Sequence, residues 1–308
     1  MFRYIVRRLL QMVLTFFGAT FVVFALMFAN QDDPLQALAG ERPITESQRQ
    51  ALTERYHLDE PFIAQYWHYM KGLLTGDFGQ SLTGRQIGDM LEAAWPVTFR
   101  LAILAAVIAA VIAILAGVIS AIRRGGAFDN VTLIFTLILL SMPIVVIAPL
   151  AQLLFGIQLG WFPPTSGADP SLWALLLPAL VLASSVFATQ LRVTRTSVAE
   201  NLRADYVRTA KAKGLAFKRV ISVHVLRNSL IPVITLIGVD LGNLMAGAIV
   251  TEGVFNIPGV GFNLARGIRT EDGPLVVGFV SALVIVFLVA NLLVDLLYAA
   301  LDPRIRYE

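Results

Sequence analysis

The sequence predicts an all-α membrane protein with six transmembrane helices, and three observations carry that prediction. Hydrophobic residues make up 57% of the 308 positions and charged residues only 15%, against roughly 25% charged in a soluble domain. Six stretches reach the ~20 largely apolar residues that a spanning helix needs: Leu9–Ala29, Leu101–Ile122, Val131–Phe155, Leu172–Leu191, Leu230–Val250 and Leu275–Leu301. Drawn in alternation, these six put the basic connecting segments on one side, which the positive-inside rule makes the cytoplasm.

The first stretch follows "MFRYIVRR". A secretory signal is the competing reading, but the apolar run exceeds the usual length of a signal core and no A-x-A site follows. A retained first span is expected. Pro143 and Pro149 interrupt the third stretch, so a kink or an early end is expected there. Arg3, Arg7 and Arg8 precede span one, Arg123 and Arg124 separate spans two and three, and Arg304 and Arg306 close the chain. The connection between spans four and five holds Arg192, Arg195, Arg203, Arg208, Lys211, Lys213, Lys218, Arg219 and Arg227. The opposite side is acidic, with ten acids and five bases between Asp32 and Glu92. Six spans with both termini inside satisfy this asymmetry, and five or seven do not.

That acidic segment predicts two helices. "TESQ" at Thr45–Gln48 reads as a capping box opening a helix to about Tyr56. Asp59 is placed to cap a second one, with Pro61 in its first turn and Gly76 beyond its end. Phe62, Tyr66, Trp67, Tyr69 and Met70 lie on it, and such aromatics favour the membrane interface. The helix either lies on the outer rim or forms a docking surface for an outside partner.

Several function classes are excluded or unsupported. Cysteine is absent, so there are no disulfides, thiolate metal sites or thiol nucleophiles. A net charge of +3 without an Arg-rich, aromatic-laced patch gives no case for nucleic acid. His57, His68 and His224 have no metal-ligand spacing. No G-x-x-x-x-G-K-[ST] loop occurs, so the chain has no phosphate-binding loop of its own.

The segment "DYVRTAKAKGLAFKRVISVHVLRNSL", Asp205–Leu230, is basic and helix-prone between two apolar spans. Asp205 and Arg208 can pair at i,i+3. Tyr206, Val207 and Ala210 form a small apolar strip. Gly214 ends the first short helix, a second restarts near Phe217, and Pro232 lies where it enters span five. The product is a helix–turn–helix elbow, fixed to a membrane helix and facing the cytoplasm. The small Ala210 would let another protein approach closely. Binding of anionic lipid by its bases is the alternative.

These residues resemble the cytoplasmic EAA loop of membrane subunits of bacterial ABC importers, and more narrowly the dipeptide/oligopeptide/nickel permease family. In "RTAKAKG" Ala210 and Gly214 match the general E-A-A…G pattern, while Arg208 and Thr209 replace E and A. "YVRTAKAKGL…HVLRNSLIP" is similar to the peptide-permease form of the loop. "YHLDEPFIAQYWHYMKGLLTGDFGQSL" (Tyr56–Leu82), "VFNIPGVGFNL" (Val254–Leu264) and "NLLVDLLYAALDPRIRY" (Asn291–Tyr307) resemble further family elements. Arg100 departs from the pattern, standing where many members have an acid.

The resemblance implies a type I ABC importer permease fold in the bacterial or archaeal cytoplasmic membrane. It implies an N-terminal segment with span one (1–30), an extracytoplasmic helical segment (31–99), and a permease core (100–308) with a coupling loop at 192–229. It implies a second homologous permease, two ABC ATPase subunits that bind ATP and Mg, and an extracytoplasmic substrate-binding protein. This chain would bind no cofactor. Tyr206, Arg208, Ala210, Lys211, Lys213, Gly214 and Leu215 would make the ATPase contact. Di- or oligopeptides are the expected cargo, with haem or nickel chelates as the alternatives within the family and an ion-driven secondary transporter as the rival of another class.

Acids inside spans mark functional hypotheses. Asp240 lies in span five and Asp295 in span six, with Asn243 and Asn291 three and four residues from them. For Asp240 three readings stand: interhelical hydrogen bonding, a translocation-path role, or a proton relay, the last lacking a His or Lys partner. Gly238, Gly242 and Ala246 give span five a small face for close helix contact. Span five is the expected pathway wall and contact with the second permease, with Asp240, Gly242, Asn243 and Glu252 as its candidate path residues. Glu252, at its outer end, would meet cationic peptide groups or the binding protein, or cap the outer turn.

Overall fold

The computed structural model describes residues 2–28, 45–47, 50, 53–54, 59–168 and 170–301. Eleven named helices carry the fold: α1 (Phe2–Phe28), α2 (Phe62–Leu74), α3 (Ile87–Ile122), α4 (Ala127–Ser141), α5 (Ile144–Ala151), α6 (Leu172–Asn201), α7 (Asp205–Ala212), α8 (Phe217–Arg219), α9 (Leu226–Phe255), α10 (Val260–Arg269) and α11 (Gly273–Leu301). Among the described residues, five helices are long and apolar enough to cross a membrane, or up to six if the bent α4–α5 pair is one span.

The expected kink in the third stretch is a break. α4 ends at Ser141, α5 restarts at Ile144, and the two are bent by 105°. Pro143 is the N-cap of α5 with extended backbone. Proline has no N–H and clashes with the preceding turn, so the first helix stops before it. Pro149 lies inside α5, which runs on as a π-helical stretch, Gln152–Gln158. The second and fourth stretches are longer than their apolar cores. α3 begins at Ile87 and α6 continues to Asn201. At 1.5 Å per residue the 36 residues of α3 extend about 54 Å, more than the ~30 Å hydrocarbon core.

The chain forms two compact units, Met1–Thr98 with Pro258–Glu308, and Phe99–Ile257. In the first unit α11 packs along α1 and α10. There α2 lies against α1 through Phe21, Phe24, Phe62, Tyr66 and Tyr69, whose rings meet edge-on, tilted or stacked. The Tyr66 hydroxyl donates to the Phe17 carbonyl at 3.0 Å, and the Tyr69 and Ser281 hydroxyls meet at 2.5 Å. Trp67 and Ile63, on the other face of α2, are exposed. Asp59 does not cap α2. Pro61 occupies the cap position without a side-chain hydrogen bond, and Gly76 follows the helix in the left-handed conformation. The helix expected from the Thr45–Gln48 capping box lies largely outside the described residues.

α10 appears without a sequence expectation. α9 stops where Asn256 turns left-handed, with the Ile257 N–H donating back to the Glu252 carbonyl at 2.9 Å. α10 begins after Gly259 and buries Val260, Gly261, Leu264 and Gly267. The Val260 N–H donates to Thr98 Oγ1 at 2.9 Å. Asp272 then caps α11, accepting from the Leu275 N–H at 3.2 Å.

In the second unit, α6 and α9 form the main helix pair. Gly117 brings α3 against α6: a Cβ there would lie 2.7 Å from Thr194 Cβ and 3.0 Å from the Leu191 carbonyl oxygen.

Candidate functional site: the basic elbow and its seat

The elbow starts where α6 ends. Asn201 Nδ2 donates to the Ser197 carbonyl at 2.8 Å, and the Tyr206 hydroxyl donates to Asn201 Oδ1. α7 follows for eight residues. It closes with the two hydrogen bonds of a Schellman motif: Gly214 N–H to the Lys211 carbonyl at 2.9 Å, and Leu215 N–H to the Ala210 carbonyl at 3.3 Å. This geometry requires a left-handed residue at the turn, and Gly214 supplies it with φ +76°. The chain then runs from Phe217 through a π-helical stretch, Val220–Val225, into α9 as one helical rod.

One face of α7 is clamped. Val207 and Ala210 are buried with Ala121 from α3, Val198 and Ala199 from α6, and Val220, Ile221 and Val225 from the rod. Leu202 and Leu215 pack against the same cluster. The small Ala210 thus serves the seat of the elbow and does not lie on its outward surface, where the sequence reading had placed it. Tyr206 also departs from the expected apolar strip, being exposed. The outward face carries Tyr206, Arg208, Thr209, Lys211, Ala212, Lys213 and Gly214. Asp205 and Arg208 pair at 3.6 Å on the open surface, a contact that solvent weakens to little net stability. Phe217 is 52% exposed at the start of the rod. An aromatic in an otherwise basic stretch was the available signal for it.

Beside the seat lies a half-buried ion pair that residue patterns did not reveal. Arg195 on α6 grips Asp129 on α4 with both prongs, Nε to Oδ1 at 2.6 Å and Nη2 to Oδ2 at 2.7 Å. Ser120 Oγ on α3 donates to the same carboxylate, and the Gly125 N–H donates to it at 2.8 Å. Arg192 Nε reaches Thr136 Oγ1 at 3.4 Å, about one helical turn earlier in α6.

The expected path residues have separate surroundings. Asp240 is buried and accepts from Gln190 Nε2 at 2.7 Å. Seven residues along α6, the Ser197 and Ser229 hydroxyls exchange hydrogen bonds with each other's carbonyls at 3.1 and 3.3 Å. Asp240 thus sits in a polar layer of the α6–α9 contact. Asn243 is exposed and Gly242 buried. Glu252 is fully buried, so its side chain presents no surface in this chain to an outside protein. Its carbonyl takes part in the turn that ends α9. Arg100 is exposed. The side chain of Asp295 lies outside the described residues. His68 pairs with Glu60 at 3.0 Å, and no group of three potential metal ligands occurs among the described residues.

The "GDFGQS" element, Gly76–Ser81, is held by Asp272, whose carboxylate accepts from Ser81 Oγ at 2.5 Å and from the Leu82 N–H at 3.1 Å. Gly278 makes room for it, since a Cβ there would lie 2.9 Å from the Phe78 carbonyl oxygen.

A set of long apolar helices carrying a basic elbow is the frame of a multi-pass membrane protein. Residues 113–307 match the family of binding-protein-dependent transport system inner membrane components, and residues 1–86 match its N-terminal part. The di/tripeptide transport system permease protein DppB of Pseudomonas aeruginosa is 36% identical over 335 residues, covering 100% of both chains. The dipeptide transport system permease protein DppB of Bacillus subtilis is 37% identical over 308 residues, covering 99% of this chain and 98% of its own. The glutathione transport system permease protein GsiC of Escherichia coli K12 is 36% identical over 312 residues, covering 100% of both. The chain belongs to this family: it is a permease subunit of the dipeptide-permease type of ABC importer, a multi-pass protein of the cytoplasmic membrane.

Proposed function

We propose that this chain forms half of the translocation path of an ATP-driven importer of di- or oligopeptides and takes its driving motion through the elbow at Asp205–Leu215. The observation that carries the reading is the two-faced construction of the elbow. Its inner face is clamped on the ends of α3 and α6. Its outer face presents Arg208, Lys211 and Lys213 around a glycine turn, beyond which the chain runs from Phe217 into α9 as one helix. A partner that moves the elbow moves α9, which is the rigid-body switching that alternating access needs. The rim charges would steer association more than they strengthen it.

In this reading the bent α4–α5 pair counts as one of six spans, both termini and the elbow are cytoplasmic, and α2 lies outside. A second, homologous permease completes the path. Two ATPase subunits supply ATP and Mg chemistry, and an extracytoplasmic protein delivers cargo. Names of full-length relatives that handle dipeptides, tripeptides and glutathione support a peptide cargo over haem or nickel chelates. The ion-driven alternative expects inverted repeats together with broken helices; the α4–α5 break is one such helix, and the named peptide-transport relatives favour the importer.

The test is purification of the tagged chain from its native membrane in mild detergent, followed by reconstitution. Co-purifying phosphate-loop ATPases and a second permease, with ATP-dependent peptide uptake, are expected. Gly214→Pro should abolish that uptake, since proline lacks the N–H given to Lys211 and fixes φ near −65°. Intact uptake by that variant would sink the coupling role. Transport by this chain alone under an ion gradient would replace the importer reading altogether.

A further inference from the structure

One carboxylate holds three segments at the base of the elbow. Asp129 is 1% exposed, in the first turn of α4. Its two oxygens take four donors: both prongs of Arg195 from α6, the Ser120 hydroxyl from α3, and the Gly125 N–H from the α3–α4 turn. Gly125 reaches the carboxylate from a left-handed turn, φ +78°. The fork lies between two apolar contacts of α6. On one side is the tight approach of Gly117 to Thr194. On the other are Val198 and Ala199, which with Ala121 support Val207 and Ala210 of the elbow.

Apolar contacts are non-directional and tolerate sliding. A two-pronged Arg–carboxylate pair has a fixed planar geometry and does not. An ion pair with one partner buried is weak evidence for stability, because desolvation offsets much of the attraction. What this one adds to the seat is an angle.

We propose that Asp129 and Arg195 are positioning residues for transport: their fork locks the α3–α4 turn to the elbow-bearing end of α6, so that displacement of the elbow turns α3, α4 and α6 as one body. This rests on the transport reading above. Without the lock, the elbow still docks and the ATPases still turn over, but part of each stroke is lost as slip between α4 and α6.

The experiment uses the whole importer in proteoliposomes, with ATP hydrolysis and peptide uptake measured on the same vesicles. Asp129→Asn removes the charge and keeps the shape. Arg195→Lys keeps the charge and removes the fork. Both variants are expected to assemble with the ATPases and to hydrolyse ATP, while peptide taken up per ATP falls about tenfold. Unchanged uptake per ATP in Arg195→Lys would overturn the proposal. So would an equal loss of hydrolysis and uptake, or failure of both variants to assemble, since either makes the pair a folding element only. Absence of ATP-driven uptake by the wild-type complex would instead refute the transport reading, and this role with it.

Discussion

Replacing Gly214 by alanine should loosen the elbow without disturbing any neighbour. A Cβ at Gly214 would meet nothing within 4 Å, so the substitution has no steric term. The cost is conformational. Gly214 sits at φ +76°, and an L-residue in the left-handed region costs roughly 1–2 kcal/mol. That converts to about a 5- to 30-fold rise in the open fraction of the turn. Asparagine tolerates this region better, so Gly214→Asn should cost less than Gly214→Ala. The amides to watch are those of Gly214 and Leu215, which donate to Lys211 and Ala210 at 2.9 and 3.3 Å. Hydrogen exchange on the purified chain should show faster exchange at these two amides in the alanine variant, with the asparagine variant between it and wild type. The buried Val233 on α9 should be unaffected. Equal protection in all three proteins would mean that the left-handed turn is not what holds the elbow closed.

Gly117→Ala would place a methyl 2.7 Å from Thr194 Cβ and against the Leu191 carbonyl. It should destabilise the chain by about 1–3 kcal/mol in a thermal unfolding scan, and an unchanged midpoint would refute the close approach of α3 and α6. Gln190→Leu removes the 2.7 Å donor to the buried Asp240 carboxylate and should cost about 1–3 kcal/mol. A neutral result would mean the α6–α9 contact does not depend on that polar layer. Burial pushes the Tyr69 hydroxyl well above its ordinary value of 10.0. The folded state therefore favours the protonated form, so this contribution is complete below about pH 10 and is lost as pH rises toward the folded value. Tyr69→Phe should flatten the alkaline limb of the stability–pH curve, and an unaltered limb would refute the assignment.

The spans were legible in the sequence because lipid demands long apolar runs and leaves few alternatives. The elbow was legible because Gly214 and the basic run interrupt those spans in a helix-prone setting. The break at Pro143 was legible as an interruption, but not its 105° angle, which depends on where α5 packs. Asp129 and Arg195 are 66 positions apart and Ser81 and Asp272 are 191 apart, so no local spacing joins either pair. Glu252 looked accessible because it stands near the end of an apolar run. Burial there depends on packing of the folded chain, which a position in the run does not reveal. α10 has no counterpart among the apolar stretches because its ten residues are too short to read as a span.

Ala210 shows why a residue type can be recognised while its direction is mistaken. A two-turn helix anchored along one face has few inward positions. In α7 those are Val207 and Ala210, spaced i,i+3 on one face. The seat they enter is already filled by Val198, Val220, Ile221 and Val225, so the second position tolerates only a small side chain. Ala210→Leu should therefore overpack the seat by about 1–3 kcal/mol in the isolated chain, lowering its unfolding midpoint before any partner is added. Ala212→Leu, on the exposed face, should stay within about 0.5 kcal/mol and weaken only association with a partner that approaches closely. If Ala210→Leu left the free chain's stability intact and abolished ATPase binding alone, Ala210 would belong to the docking face. The rigid attachment of the elbow would then need another source than its apolar seat.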